Sequence, residues 1–412
     1  MKGSPLLAVD QALDQLMQLA AQAALQAVDQ VDLEDADGRV LARDLLACTD
    51  SPPWSNSAMD GYAFRLAEVA SGPLPVSQTV FAGTAPDPLA PGSCARIFTG
   101  APVPPGADCV QLQENCRVDA DGRVSSMAPL CVGANIRLQG EEIGVGAPLL
   151  AAGTVLGPVA LGVLAAQGIE QVAVRRKPRV ALLSTGNELA TAGARLAPGQ
   201  IHDSNRVVLK TLLRRLGCEV IDLGAVGDEL ALIRAALDQA AGADLIISSC
   251  GVSVGDADCI GSLLREGGEV KLWKLAIKPG KPFTFATIDG VPFIGLPGNP
   301  GSALVTFLLL VRPYLLRRMG VNRVEPLRLP VVAGFDWPKA GNRQEYLRVR
   351  IELGRAVLQA NQGSGTLLSA VEADGVVEVP AGRTFESGEL LDFISFAWLV
   401  SPGSAQCHRL GC

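Results

Sequence analysis

Histidine is nearly missing: the 412 residues contain two, His202 and His408. That excludes His-rich metal centres. A Ser-His-Asp triad would have to use His202, which follows a Gly-Gln-Ile turn and has no nucleophile motif beside it. None of the ten cysteines forms a C-x-x-C pair, so zinc-finger and thioredoxin-type readings fail. The cysteines are expected to be small buried hydrophobes in a reducing cytoplasm, with Cys407 and Cys412 as exposed thiols of a tail. Neither G-x-x-x-x-G-K-[ST] nor G-x-G-x-x-G occurs, which disfavours a P-loop NTPase or an ordinary dehydrogenase. Charged residues are 19% and the net charge is −7, so nucleic acid and anionic membranes are not expected partners.

No secretion signal is read at the N-terminus, because Asp10 and Asp14 interrupt its first apolar residues. The uncharged stretch 143–169 is broken by Pro148, Gly153, Gly157, Pro158, Gly162 and Gly168. It reads as a turn, a short strand and a short buried helix rather than a membrane span. The expectation is a soluble, cytoplasmic protein.

What is present is ample apolar material, 48% of the chain, and a length that suits two to four domains at about 150 residues each. Residues 6–30 carry Leu6, Val9, Leu13, Leu16, Leu19 and Ala23 at helical spacing. After Asp37-Gly38 come short extended runs punctuated by proline and glycine, the pattern of a small β-rich domain. From Pro178 strands alternate with helices: strands at 179–184, 219–223, 244–249, 270–276 and 291–296, and helices at 203–216, 229–241, 258–266 and 301–318. Such alternation predicts a parallel sheet covered on both faces. Beyond Val324 short strands return at 345–353, 356–360 and 375–380, as in a compact all-β module. The last dozen residues read as a frayed tail.

In an open parallel sheet, ligands bind beyond the carboxyl ends of the strands. Three loops there are suited to anions. In STGNEL, Ser184, Thr185 and Gly186 offer hydroxyls and N–H groups, with Glu188 adding a carboxylate. In CGVSVGDAD, Gly251 and Gly255 let the backbone close around a ligand, and Asp256 and Asp258 flank it. In LPGNPGSA, Gly298, Asn299, Gly301 and Ser302 precede a hydrophobic helix.

The chain has eight lysines, and four of them fall between positions 271 and 281. Lys271 fits a solvated strand edge. Lys274, Lys278 and Lys281 alternate with Pro279 and Gly280 at a strand end, where an ammonium can hold a phosphate or another tetrahedral oxyanion; Lys278 and Lys281 are the favoured pair. With almost no histidine, the acidic residues Glu188, Asp228, Asp256 and Asp258 point to a hard cation such as Mg2+, against the alternative of helix N-capping, strongest for Asp228. Further glycine-bound polar turns lie at 51–65, 98–108 and 140–146, the first containing Asp60-Gly61.

Together these residues resemble the MoeA family, the molybdopterin molybdenumtransferases, related to the E domain of gephyrin. SAMDGYA, TGAPVPPGAD, STGNEL, DSNR, GVSVGDAD, WKLAIKPGKPF and GLPGNPGSA occur in the family's order across residues 5–400. The resemblance implies a multidomain α/β plus β fold. An elongated N-terminal and linker domain would hold residues 1–50 and 136–176, an inserted β domain 51–135, a parallel-sheet molybdopterin-binding domain 177–322, and a C-terminal β-barrel 323–400, ahead of a 401–412 tail.

It further implies a homodimer whose site lies between subunits, with Asp60 and Thr99 facing Glu188, Asp228, Asp258, Lys274 and Lys278. The implied substrates are molybdate and adenylylated molybdopterin, with release of AMP, and Mg2+ on Glu188, Asp228 and Asp258. Substrate contacts would come from Ser184, Thr185, Gly186, Gly251, Ser253, Gly255, Gly298 and Asn299. Molybdate would take Lys278, Lys281, Ser302, Arg343 and Ser364. The molybdopterin adenylyltransferase and molybdoenzymes are the implied protein partners. Three positions depart from the family pattern: Glu142 and Asn187 stand where aspartates are expected, and Cys250 stands where a glycine is. The alternatives are the preceding adenylylation of molybdopterin and a non-catalytic, gephyrin-like scaffold.

Overall fold

A computed structural model describes residues 6–249, 260–261, 263 and 269–400. The chain forms two compact units, one made of the stretch up to Arg43, Ala152–Gly162 and the chain from Gln171, the other of Asp44–Ala151 and Val163–Glu170.

The second unit is built on a sheet in the order Cys109–Leu112, Gly61–Phe64, Cys94–Ile97, Leu74–Val80, Arg123–Ser126 and Cys116–Val118. Alternation along the strands feeds two cores, with Ala63, Ala95, Ile97 and Val110 on one face and Phe64, Leu74, Cys94 and Cys109 on the other. Gly61 is required because a Cβ there would overlap the Gln111 carbonyl oxygen of the neighbouring strand. Cys94 and Cys109 are buried as expected. Cys48 and Cys131 are exposed, contrary to the expectation, because both sit in turns outside the sheet.

The first unit holds a six-stranded sheet in the order Glu219–Val226, Arg179–Thr185, Leu245–Ser249, Val291–Leu296, Thr284–Ile288, Glu269–Trp273. The first four strands are parallel, as the alternating pattern predicts. Thr284–Ile288 runs antiparallel to both neighbours and adds a strand to those the sequence pattern predicts. It forms a hairpin with Val291–Leu296 through Asp289-Gly290, whose φ values of 48° and 79° suit a two-residue turn of the kind Asp-Gly favours.

Even and odd positions of the central strands enter different cores. Val180, Leu182, Leu245 and Ile247 pack under Leu209 and Leu213 of the helix Ser204–Arg215, while Ala181, Leu183 and Ile246 pack with Ile233 and Ala236 of the helix Leu230–Asp238. The sheet is therefore covered on both faces.

Several boundaries differ from the sequence reading; the strand at 219 runs on to Val226 and the helix at 229–241 shortens to Leu230–Asp238. The N-terminal helix is Val9–Gln22, and Val28–Asp32 is instead a strand paired with Gln171–Arg175. The strand expected to reach Ala276 ends at Trp273, because Lys274 adopts φ 58°. The last helix is α-helical over Pro300–Thr306, widens to a π-turn over Phe307–Val311 and resumes at Arg312–Arg318. Pro313 has no N–H to give the preceding turn, and a widened turn absorbs that loss. Among the described residues no helix is long and apolar enough to cross a membrane.

The C-terminal strands close on themselves: Gln344–Glu352, Arg355–Leu358, Leu329–Ala333, Leu390–Ser395 and Gly375–Val379, the last pairing back to Gln344–Glu352. Closure removes open edges around a core of Leu347, Val349, Val377, Leu391 and Phe393. The short strand Ile277–Lys278 joins this barrel by pairing in parallel with Gln344 and Glu345.

Candidate active site

Four parallel strands end on one edge of the sheet, and the candidate loops at Ser184–Glu188, Asp228 and Gly298–Ser302 follow them. Ser184 and Thr185 close the strand Arg179–Thr185. Both are buried, and neither Oγ of Ser184 nor Oγ1 of Thr185 has a hydrogen-bond partner among the described residues. Leaving such hydroxyls unpaired costs about 1–3 kcal/mol each, a price folded chains seldom bear without use. The next turn folds Glu188 back over Gly186, where a Cβ would come within 2.6 Å of the Glu188 carboxylate. Asn187 ties this turn to the neighbouring strand end. Its N–H donates to Asp228 Oδ2 (3.3 Å), and its Oδ1 accepts the Asp228 N–H (3.1 Å).

Glu229 occupies the N-cap position of the helix Leu230–Asp238. Glu188 and Asp228 thus stand on adjoining, tethered loops and offer the oxygen chemistry a hard cation takes. Among the described residues no three His, Cys, Asp or Glu side chains gather as a metal set. Gly251, Ser253, Gly255, Asp256 and Asp258, with Cys250, lie outside the described residues.

The third loop is tied to the end of the strand Leu245–Ser249 by a residue absent from the sequence-based set. Asn205 is buried, and its Nδ2 donates to Ser249 Oγ and to the Gly298 carbonyl, both at 2.8 Å. Its helix starts correctly because Asp203 accepts the Arg206 N–H at 3.0 Å, an N-cap.

Beyond Gly298 the chain meets the barrel. Asn299 Nδ2 donates to Ser364 Oγ (3.1 Å), and the Ser302 N–H donates to the Ser364 carbonyl (3.2 Å). Gly301 permits the approach, since a Cβ there would come within 2.8 Å of the Ser364 carbonyl oxygen. The loop carrying Ser364 is held by the buried Arg348, whose guanidinium donates to the carbonyls of Gly363 (2.9 Å) and Thr366 (3.0 Å), one on each side of the serine.

The cationic loop lies against the same elements. Lys278 Nζ is 3.1 Å from Glu345 Oε2, and Arg343 Nη1 donates to the Ile277 carbonyl at 3.3 Å. Gly280 packs so closely on Thr306 that no side chain fits there. Strand pairing thus sets Lys278 beside the Arg343 segment, and the start of the helix sets Ser302 beside Ser364, with Gly280 packing the lysine loop onto that helix. Lys281 is exposed on the same loop, and Lys274 is half-buried at its start.

Asp60 and Thr99 form their own pair in the other unit. Asp60 Oδ1 accepts both the Thr99 N–H and the Thr99 hydroxyl at 2.8 Å, and these two bonds hold the exposed carboxyl below its usual range. Arg96, absent from the sequence-based set, braces them. It donates to the Gly61 carbonyl (2.9 Å) and lies over the rings of Phe98 (4.7 Å) and Tyr62 (5.0 Å). Glu142 accepts the Ser51 hydroxyl at 2.7 Å, so the longer side chain is anchored in its turn.

This geometry has counterparts among known proteins. Residues 7–168 match the MoeA N-terminal region (domains I and II), 181–317 the probable molybdopterin-binding domain, and 330–396 the MoeA C-terminal region (domain IV). A molybdopterin molybdenumtransferase from Haemophilus influenzae is 41% identical over 322 residues, covering 77% of this chain and 80% of the relative. The chain belongs to the MoeA family. Another relative, from Nostoc, is 38% identical over 375 residues, covering 87% of this chain and 86% of its own. A solved structure of a molybdopterin biosynthesis MoeA protein from Pyrococcus horikoshii superimposes with a TM-score of 0.76 at 33% identity, covering 95% of this chain and 99% of that one. The matched regions divide between the N-terminal β sheet, the α/β sheet and the closed barrel, the fold expected of a MoeA protein.

Proposed function

We propose that this chain completes the molybdenum cofactor by inserting molybdate into the dithiolene of adenylylated molybdopterin, with cleavage of the phosphoanhydride and release of AMP. The observations that support the reading are the 277–278/344–345 strand pairing, which sets Lys278 beside the Arg343 segment, and the Asn299 and Ser302 bonds to Ser364. Two cations and two hydroxyls suit a tetrahedral dianion. Lys281 on the same loop adds a third positive charge.

The remaining residues divide the work. The buried hydroxyls of Ser184 and Thr185 and the backbone N–H groups of the Gly186 and Gly298 turns would donate to the pterin phosphate side, a role the family resemblance extends to Gly251, Ser253 and Gly255. Lys274 neutralises phosphate charge. Glu188 and Asp228, with Asp258, would hold Mg2+, which supplies charge compensation at the pyrophosphate when bound. In the working homodimer, Asp60 and Thr99 of one subunit complete the site of the other, in the cytoplasm, with the adenylyltransferase upstream and molybdoenzymes downstream. Matches to MoeA regions on both sides of the molybdopterin-binding region count against an adenylyltransferase reading, and no observation favours a scaffold.

The experiment is AMP release from adenylylated molybdopterin with purified protein, molybdate and Mg2+. Molybdate-dependent AMP release is expected. Its absence, or ATP consumption with molybdopterin alone, would overturn the proposal.

A further inference from the structure

The ion pair at the oxyanion pocket joins two unlike groups. The Lys278 side chain is 52% exposed, whereas that of Glu345 is 6% exposed. The contact is set by sheet register, since Lys278 stands directly opposite Glu345 in the parallel pairing, and Glu345 is in turn paired with Val379 on the neighbouring barrel strand. Gly341 makes room for the carboxylate, because a side chain at that position would collide with Glu345 Oε1. A buried carboxylate held in place beside a site for a dianion is a repulsive group where screening is weak. It also occupies the ammonium that the dianion needs.

We infer that Glu345 is a built-in competitor for the oxyanion: it holds Lys278 Nζ until a tetrahedral dianion takes the ammonium over, and so weakens binding. The inference rests on the reading that Lys278, Ser302, Arg343 and Ser364 bind molybdate. The carboxylate makes the lysine's ion pair an exchange of partners rather than a gain of one, so the pocket releases oxyanion more readily than its cations alone would allow. Glu345 touches no reacting atom in this scheme and acts through Lys278.

Titration calorimetry with molybdate, at one pH and one ionic strength, tests this on the wild type, Glu345→Gln and Glu345→Asp. The neutral isostere is expected to bind molybdate about tenfold tighter, while the aspartate variant, which keeps the charge, stays within about threefold of wild type. A purely structural role predicts weaker binding in both variants. Equal or weaker binding by Glu345→Gln overturns the inference while the wild-type isotherm leaves the molybdate reading standing. Failure of all three proteins to bind overturns both. A wild-type crystal soaked in molybdate gives a test that needs no variant. Lys278 Nζ should have left Glu345 for a molybdate oxygen, and a persisting 3.1 Å contact beside bound molybdate would also overturn the inference.

Discussion

The two ends of the α/β sheet are built on opposite terms. At the amino end, charged groups are matched. Asp244, which opens the strand Leu245–Ser249, receives both Nη1 and Nη2 of Arg176 at 2.9 Å and the Arg179 N–H at 2.7 Å, and its carbonyl accepts from Arg318. At the carboxyl end, the Ser184 and Thr185 hydroxyls are buried and unpartnered among the described residues, and the half-exposed Lys278 shares its ammonium with a buried carboxylate. One edge is optimised for the fold alone. The other retains unmet hydrogen-bonding and charge capacity, which a ligand can use.

The largest effect should come from Lys278→Ala. Loss of a preorganised cation at the oxyanion should lower turnover by at least about a hundredfold, read as AMP release. The same change leaves Glu345 buried without its partner and should reduce unfolding stability by about 1–3 kcal/mol in urea titration. Full turnover in this variant would erase the distinction between the two edges.

Asp244→Asn should show the reverse pattern. It removes the charge that Arg176 and Arg318 surround, lowering stability by about 2–3 kcal/mol while turnover per folded molecule stays within about twofold of wild type. The pH dependence gives a second reading of the same edge. Partial burial of Asp244 would raise its pKa, but the Arg176 hydrogen bonds and the Arg179 N–H outweigh it and hold the carboxyl below its usual value of 3.8. A native value below the unfolded one means that the stabilisation is complete above about pH 5 and is lost as the pH falls through the native value. Urea midpoints measured from pH 7 down to pH 3 should therefore fall more steeply for the wild type than for Asp244→Asn. Parallel curves would remove Asp244 from the account.

These contrasts were unequally legible in the sequence. The carboxyl-edge loops could be read because glycine, proline and hydroxyl residues follow apolar strand runs at short range, a local signal. The hairpin Thr284–Ile288 to Val291–Leu296 has a local signal too, Asp289-Gly290 between two apolar runs, although the lysine cluster just before it masks the first strand's start. What could not be read were partnerships across long separations. Asn205 reaches acceptors 44 and 93 residues away, and Lys278 meets Glu345 67 residues on, through a parallel register that side-chain type does not encode. Arg348 looks in sequence like one more strand cation. Its burial and its grip on both sides of Ser364 follow from barrel closure, a property of the whole domain.

The smallest expected effect discriminates most finely, because it carries an unusual sign. A buried serine whose hydroxyl finds no partner among the described residues costs desolvation without a compensating bond to them, so Ser184→Ala should leave stability unchanged or raise it by about 0.5–1 kcal/mol. Every backbone pairing of Ser184, to Ala225 on one side and Ser249 on the other, survives the substitution. Affinity for adenylylated molybdopterin should meanwhile weaken about three- to tenfold, since the hydroxyl is proposed to bond the substrate. Thermal unfolding with and without substrate reads both quantities in one experiment: the alanine variant should melt at the same or a higher temperature alone, and should gain less from substrate than the wild type. A loss of more than about 1 kcal/mol without ligand would mean that Ser184 already has a partner in the native protein, and the carboxyl edge would then be satisfied on the same terms as the amino edge.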